Sequence, residues 1–177
     1  MDIEQQQRLK EKLENDLKIF KQHRYTLQLA TVNAQGYPNV SYAPFVQNQH
    51  GYFVLISELA RHTQNLLVSP YVSLMMVEDE ANSRQLFARV RLTFDATAQV
   101  VERHSDLWRE VISQMEDRHG EIVSGLTELQ DFMLFRFMPE KGLFVKGFGQ
   151  AYPVSAQELV DAAPLLQGHR SIKNQLS

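Results

Sequence analysis

Three runs of apolar and β-branched residues, separated by short polar breaks that each carry a glycine, fill residues 24–56. Residues 24–33 form the first run. Residues 34–37 break it at Gly36. The second run, residues 38–46, places Val40, Tyr42, Pro44 and Val46 two apart. A polar break ending at Gly51 leads to the third, Tyr52-Phe-Val-Leu-Ile56. Such runs joined by short glycine-containing loops predict an antiparallel meander. The third run lacks polar alternation, which predicts a strand covered on both faces.

The remaining pattern can be laid around this sheet. Residues 2–22 read as an amphipathic helix, with Leu9, Leu13 and Leu17 four apart, Phe20 continuing the stripe, and Lys10, Glu11, Glu14 and Lys18 opposite. It predicts a helix docked over one end of a barrel. Residues 57–68 read as a short helix stopped by Pro70, with Leu59, His62 and Leu66 on neighbouring faces. Residues 71–77 form a fourth strand. Residues 86–101 predict a long fifth strand, with Phe87, Arg89, Arg91, Thr93, Asp95 and Thr97 on one polar face. Ser105 caps a helix running to about His119, which buries Leu107, Trp108, Val111, Ile112 and Met115 and stops at Gly120. A shorter helical piece follows at 124–130. Residues 131–138 and 142–148 predict two further strands joined by a turn at 139–142. Ser155-Ala-Gln-Glu158 has the capping-box pattern that opens a helix. The prediction is one mainly β domain over residues 1–177: a six- to seven-stranded antiparallel split or closed β-barrel with flanking helices and a tail at 164–177.

Composition narrows the class. With 177 residues, 44% hydrophobic and 22% charged, the chain has the makeup of an ordinary globular protein with a real core. A net charge of −3 supplies no basic field for nucleic acid. Cysteine is absent, which removes disulfides and thiolate metal sites. The polar, acidic N-terminus does not read as a signal peptide, and no run reaches the roughly 18 apolar residues of a membrane span. The expectation is a cytoplasmic protein without a membrane or nucleic-acid partner.

The familiar catalytic motifs are missing: no phosphate-binding glycine loop, no His-Glu-x-x-His, no Gly-x-Ser-x-Gly. Six histidines are the first candidates for ligation or proton transfer. His23 and His50 sit among polar neighbours, and His104 and His119 flank one helix. His62, in Arg61-His62-Thr63, follows the central strand where a helix start could face an anion or cofactor. His169 follows Gly168 in the tail, with Arg170 and Lys173 beside it. Among carboxylates, Asp131 opens an apolar strand and shares a face with Met133, Phe135 and Phe137. Either it meets water or caps a turn at the strand's start, or it pairs with a cation or imidazole, because an unpaired buried charge is costly.

With these residues in view, the chain resembles the haem-utilisation proteins of the HutZ/HugZ type, within the FMN-binding split-barrel (pyridoxamine-phosphate-oxidase-like) superfamily. The shared first hairpin comprises residues 27–32, Gly36 and residues 38–47. The resemblance continues through Gly51-Tyr-Phe-Val-Leu-Ile-Ser57, Leu59-Ala-Arg-His62 and Gln85-Leu-Phe-Ala-Arg89. The more specific segments are Asp131-Phe-Met-Leu-Phe-Arg136, Gly142-Leu-Phe-Val-Lys-Gly-Phe-Gly149 and Gly168-His169-Arg170. The resemblance implies a homodimer that holds haem at the subunit interface and degrades it oxidatively to release iron. It implies His169 as the axial ligand to haem iron and Asp131 as its hydrogen-bond partner, from the other protomer. Arg170 and Lys173 would then meet haem propionates. An external electron donor, and a haem-delivering protein, are the further partners it suggests. The same superfamily contains FMN-dependent oxidoreductases. Their phosphate-holding positions, aligned through Pro38 and Pro70, fall at Ser41, Phe45 and Ala60-Arg61-His62, where Arg61 alone matches, and His62, Thr63 and Arg89 or Arg91 are the groups left to supply a weaker site. A haem carrier that never turns haem over, and a purely structural dimer, are the non-enzymatic alternatives.

Overall fold

The computed structural model describes residues 3–163. Helix α1 (Ile3–Gln22) buries Leu13 and Leu17, and Leu9 and Phe20 pack half-buried on the same cluster. The four-residue leucine spacing thus docks a helix on the core. Strands β1 (Thr26–Val32) and β2 (Pro38–Pro44) pair antiparallel. Gly36 turns between them at φ +84°, and Asn33 Oδ1 accepts from the N–H groups of Gln35 and Tyr37.

Phe45 drops into the core and its N–H donates to Tyr25 O. This bend divides the expected second strand into β2 and the short β3 (Val46–Asn48). Strand β4 (Gly51–Ser57) carries the unbroken apolar run, and its placement explains the lack of alternation. Tyr52, Val54 and Ile56 face the main core cluster. Phe53 faces a second cluster with Trp108, Val111, Ile112 and Met115. Those four come from helix α3 (Asp106–His119), which is capped by Ser105 Oγ accepting from Trp108 N–H and ended by Gly120 at φ +85°. Each such fully buried large side chain contributes roughly 1.5–3 kcal/mol of transfer free energy.

Helix α2 (Arg61–Val68) follows β4; then come β5 (Tyr71–Val77), β6 (Arg91–Val100), helix α4 (Ile122–Thr127), β7 (Phe132–Gly147) and β8 (Gln150–Ser155). The strand order is β2-β1-β5-β6-β7-β4-β3, with β8 on β7 and every pairing antiparallel. The two ends of this path, β2 and β3, are consecutive in the chain, and one core cluster draws on residues from β1 to β8. The sheet therefore curls around its core as the split-barrel expectation requires.

Four local expectations are corrected. The strand expected from residue 86 begins at Arg91, because Gln85 Oε1 accepts from Phe87 N–H and closes a 3₁₀ turn at Leu86–Ala88. Phe87 and Arg89 therefore leave the polar strand face, and the Arg89 guanidinium donates to Glu78 O. The two strands expected at 131–138 and 142–148 are one strand, β7. Glu140 is the extra residue of a bulge between the Asp95↔Lys141 and Ala96↔Pro139 rungs. Gly142 serves close approach there, since a Cβ would lie 2.5 Å from the Phe94 ring and Thr93 O. Ser155-Ala-Gln-Glu158 makes a tight turn, not a helix. Glu158 sits at φ +61°, and its carboxylate turns to Tyr52, Gln47 and Lys21 rather than back to the Ser155 N–H. The helical piece expected at 124–130 lies at Ile122–Thr127.

Candidate functional site

The β4–β7 ladder builds the best-defined polar cluster. Ser57, the last residue of β4, pairs with Phe132, the first of β7. One rung beyond, the Glu58 N–H donates to Asp131 O at 2.6 Å. Asp131 is half-buried just before β7, and its Oδ2 accepts from Ser57 Oγ at 2.6 Å. The same Ser57 oxygen accepts from Leu59 N–H at 3.2 Å, and Ser57 O accepts from Ala60 N–H at 3.1 Å. A tight turn over residues 57–60 thus connects Asp131 to the start of α2. Leu59 lies in that turn, 85% exposed, rather than on a helix face. Asp131 is therefore held by a hydroxyl, and no described cation pairs with it.

The loop carrying Asp131 is braced from behind. The Arg103 guanidinium donates to Thr127 O at 2.6 Å and to Leu129 O and Phe132 O at 2.8 Å each. Its Cζ lies 5.9 Å from the Trp108 ring centroid. Three carbonyls on both sides of Asp131 are tied to one rigid cation.

At the start of α2, Arg61 is exposed and His62 is half-buried. Nδ1 of His62 lies 2.9 Å from Ser41 Oγ on β2, and Nε2 is buried without a partner. Burial pushes the His62 pKa below its usual 6.5, so the ring is neutral. Deeper in α2, Asn65 Nδ2 donates to Thr31 Oγ1 at 2.9 Å.

His62 has a measurable consequence. An unfolded chain binds a proton at His62 near pH 6.5 that the folded chain resists. Folding stability carried by this group is complete above pH 6.5 and is lost as pH falls toward the lower folded pKa. His62→Gln is expected to narrow the gap between urea midpoints at pH 5.5 and 7.5. An unchanged gap refutes the burial effect.

The other described histidines do not converge on a site. His23 Nδ1 contacts Ile19 O, His119 Nε2 contacts Phe45 O, and His104 stacks edge-on against Trp108. Among the described residues, no group of three or more His, Asp or Glu side chains could hold a metal. Nor is any described helix long and apolar enough to cross a membrane. His169, Arg170 and Lys173 lie outside the described residues.

Of the positions aligned with a flavin phosphate site, Ser41 and His62 meet, but with unsuitable chemistry. Ser41 is engaged with His62, Phe45 is buried in the core, and His62 is neutral. One exposed arginine, Arg61, is the remaining cation of that set. A phosphate dianion needs several donors or cations to offset its desolvation. These residues do not fit the phosphate of FMN.

A sequence profile for pyridoxamine 5'-phosphate oxidase matches residues 13–146. The chain belongs to this family. Within the family it sides with the HutZ/HugZ type. It is 66% identical over 169 residues to the haem oxygenase HutZ of Vibrio cholerae serotype O1, covering 96% of each chain. A crystal structure of Vibrio cholerae HutZ, described as a haem storage protein, superposes with a TM-score of 0.74. Its identity is 64%, and the match covers 76% of this chain and 96% of that one. Campylobacter jejuni ChuZ superposes with a TM-score of 0.80 at 31% identity, covering 90% of this chain and 67% of that one. The split-barrel expectation holds, with eight strands in place of six or seven, and so does the HutZ/HugZ resemblance.

Two residues of the Asp131 cluster were not singled out from sequence. Ser57 shows only as a hydroxyl ending an apolar run, and its link to Asp131 exists only once β4 and β7 are in register. Arg103 lies 28 residues upstream of Asp131 and carries no motif.

Proposed function

We propose that this protein binds haem as its substrate and degrades it oxidatively, releasing iron. The observation that carries this reading is the 66% identity, along 96% of both chains, to a protein named as a haem oxygenase. Haem supplies the iron at which dioxygen is activated. The chain's own contribution is to hold that iron and tune its ligand. His169 would hold the haem iron through one imidazole nitrogen, and Asp131 would accept a hydrogen bond from the other. That bond fixes the tautomer and strengthens the imidazole as a donor. The held carboxylate of Asp131, half-buried and free of described cations, suits the role. Arg170 and Lys173 complement the haem propionates.

The active unit is a homodimer, with Asp131 and His169 of one site drawn from different protomers. Supporting this, the outward face of β2, β1 and β5 exposes Val40, Tyr42, Val32 and Tyr71, an apolar strip of the kind a second copy covers. Electrons come from an external donor, and a haem-delivering protein is a further partner. A reducing cytoplasm provides both.

Titration with haemin followed by ascorbate in air tests the reading. Saturation near one haem per subunit with a shifted Soret band, then loss of that band with iron release, is the expected result. Binding without loss under any reductant favours a second reading, haem storage, which the description of the similar Vibrio cholerae structure supports. Absence of haem binding overturns both.

A further inference from the structure

We propose that Ser57 is a positioning residue for Asp131, holding one carboxylate oxygen so that the other is presented to the imidazole of the haem ligand; this rests on the assignment of Asp131 and His169 above. The geometry of the hydroxyl carries it. An amide N–H can only donate, so the Leu59 N–H occupies a lone pair of Ser57 Oγ, at 3.2 Å. The hydroxyl proton is thereby left to point at Asp131 Oδ2, 2.6 Å away. A carboxylate is an acceptor alone when ionised, so the direction of this bond is fixed from both ends. Oδ1 receives no hydrogen bond from the described residues, and it is the oxygen available to an imidazole N–H.

The backbone is fixed as firmly as the side chain. Glu58 N–H holds Asp131 O at 2.6 Å, and Arg103 ties the carbonyls of Thr127, Leu129 and Phe132 around it. An aspartate has two side-chain torsions. With its main chain pinned on both sides, those two torsions are the freedom left, and the Ser57 hydroxyl restrains both by holding Oδ2. A hydrogen bond between carboxylate and imidazole depends on this orientation, because it weakens steeply away from linear geometry. Arg103 supports the same geometry at longer range, and a lysine cannot replace it. A single ammonium on a flexible stem does not span three carbonyls.

The position of the pair adds a link to the rest of the site. Ser57 opens the turn that leads to Arg61 and His62, so its hydroxyl couples the orientation of Asp131 to the start of α2.

The test uses the full chain, with and without haem. In the haem-free protein, Ser57→Ala is expected to move the ¹³C resonance of the Asp131 carboxylate, and Ser57→Thr to leave it near its original position. In the ferrous haem complex, Ser57→Ala is expected to reproduce most of the downshift of the iron–histidine stretching band that Asp131→Asn produces. Ser57→Thr restores the original band, and Arg103→Lys shifts it in the same direction as Ser57→Ala. A change of packing alone does not move this band and is not rescued by the hydroxyl. A carboxylate resonance unmoved by Ser57→Ala overturns the inference. So does an unshifted band in Ser57→Ala while Asp131→Asn shifts it. A band unmoved by Asp131→Asn itself overturns the reading on which the inference rests, and the haem-free resonance then still reports whether Ser57 holds the carboxylate.

Discussion

Replacing His169 with alanine is expected to weaken haem affinity by about 100-fold or more and to return the Soret band toward that of free haemin. Loss of a hydrogen-bond partner behind a metal ligand costs roughly 10–100-fold, and loss of the ligand itself sets at least the upper end of that range. A 100-fold loss corresponds to about 2.7 kcal/mol of binding free energy. What remains is apolar burial of the porphyrin, which is non-directional, and the charge contacts of Arg170 and Lys173 with the propionates, neither of which ligates the iron. Two readouts therefore separate: residual, weak haem association, and complete loss of the histidine-ligated spectrum. Added imidazole should restore much of the spectrum by filling the vacated coordination position. Thermal melting of the haem-free variant is the control that separates a lost ligand from a lost fold. Retained affinity with an unaltered spectrum removes His169 from the iron and moves the ligand elsewhere in the chain.

The parts of this protein that were legible in its sequence are those where one chemical pattern has one structural outcome. Leucines four apart in residues 9–17 dock α1, and the unbroken run Tyr52–Ile56 lies between two cores. Ser105 and Gly120 bound α3 through local hydrogen bonds that need no tertiary information. The expected strand start at residue 86 gives way to a local turn closed by Gln85; in two other places tertiary pairing overrides a local signal. Pro139-Glu-Lys-Gly142 is good turn chemistry, yet β6 pairs with the residues on both sides of it, so the chain bulges by one residue and continues. Ser155 and Glu158 have capping-box spacing, yet Glu158 meets Tyr52, Gln47 and Lys21, which local sequence cannot foresee. At the site, Asp131 drew attention because a carboxylate at the head of an apolar strand is expensive to bury. Its partner Ser57 drew none, because a serine at a strand end is commonplace. The bond between them, spanning 74 positions, is a product of strand register.

Asp131→Asn is expected to preserve the fold while lowering the rate of ascorbate-driven haem degradation by roughly 10–100-fold. The replacement is nearly isosteric, and Ser57 Oγ can still donate to the amide oxygen at the position now held by Oδ2. The amide oxygen is then the group engaged with Ser57, and an NH2 faces the imidazole in place of an acceptor. A donor opposed to the imidazole N–H removes the bond that strengthens the ligand. Haem binding should persist, more weakly, with the iron–histidine bond lengthened. The placement of the two residues in different protomers makes a sharper demand. Alone, the Asp131→Asn dimer lacks the acceptor in both sites, and the His169→Ala dimer lacks the ligand in both. A mixed dimer of the two variants combines an intact Asp131 from one chain with an intact His169 from the other in one site, and concentrates both losses in the second. Co-expression with two affinity tags isolates that dimer. Its turnover is expected to recover to about half that of the unmodified protein, by simple counting of restored sites. Recovery of this size supports a site shared across the interface. Turnover no higher than the mean of the two parent variants would place both residues in one chain, and haem degradation would then survive dissociation of the dimer.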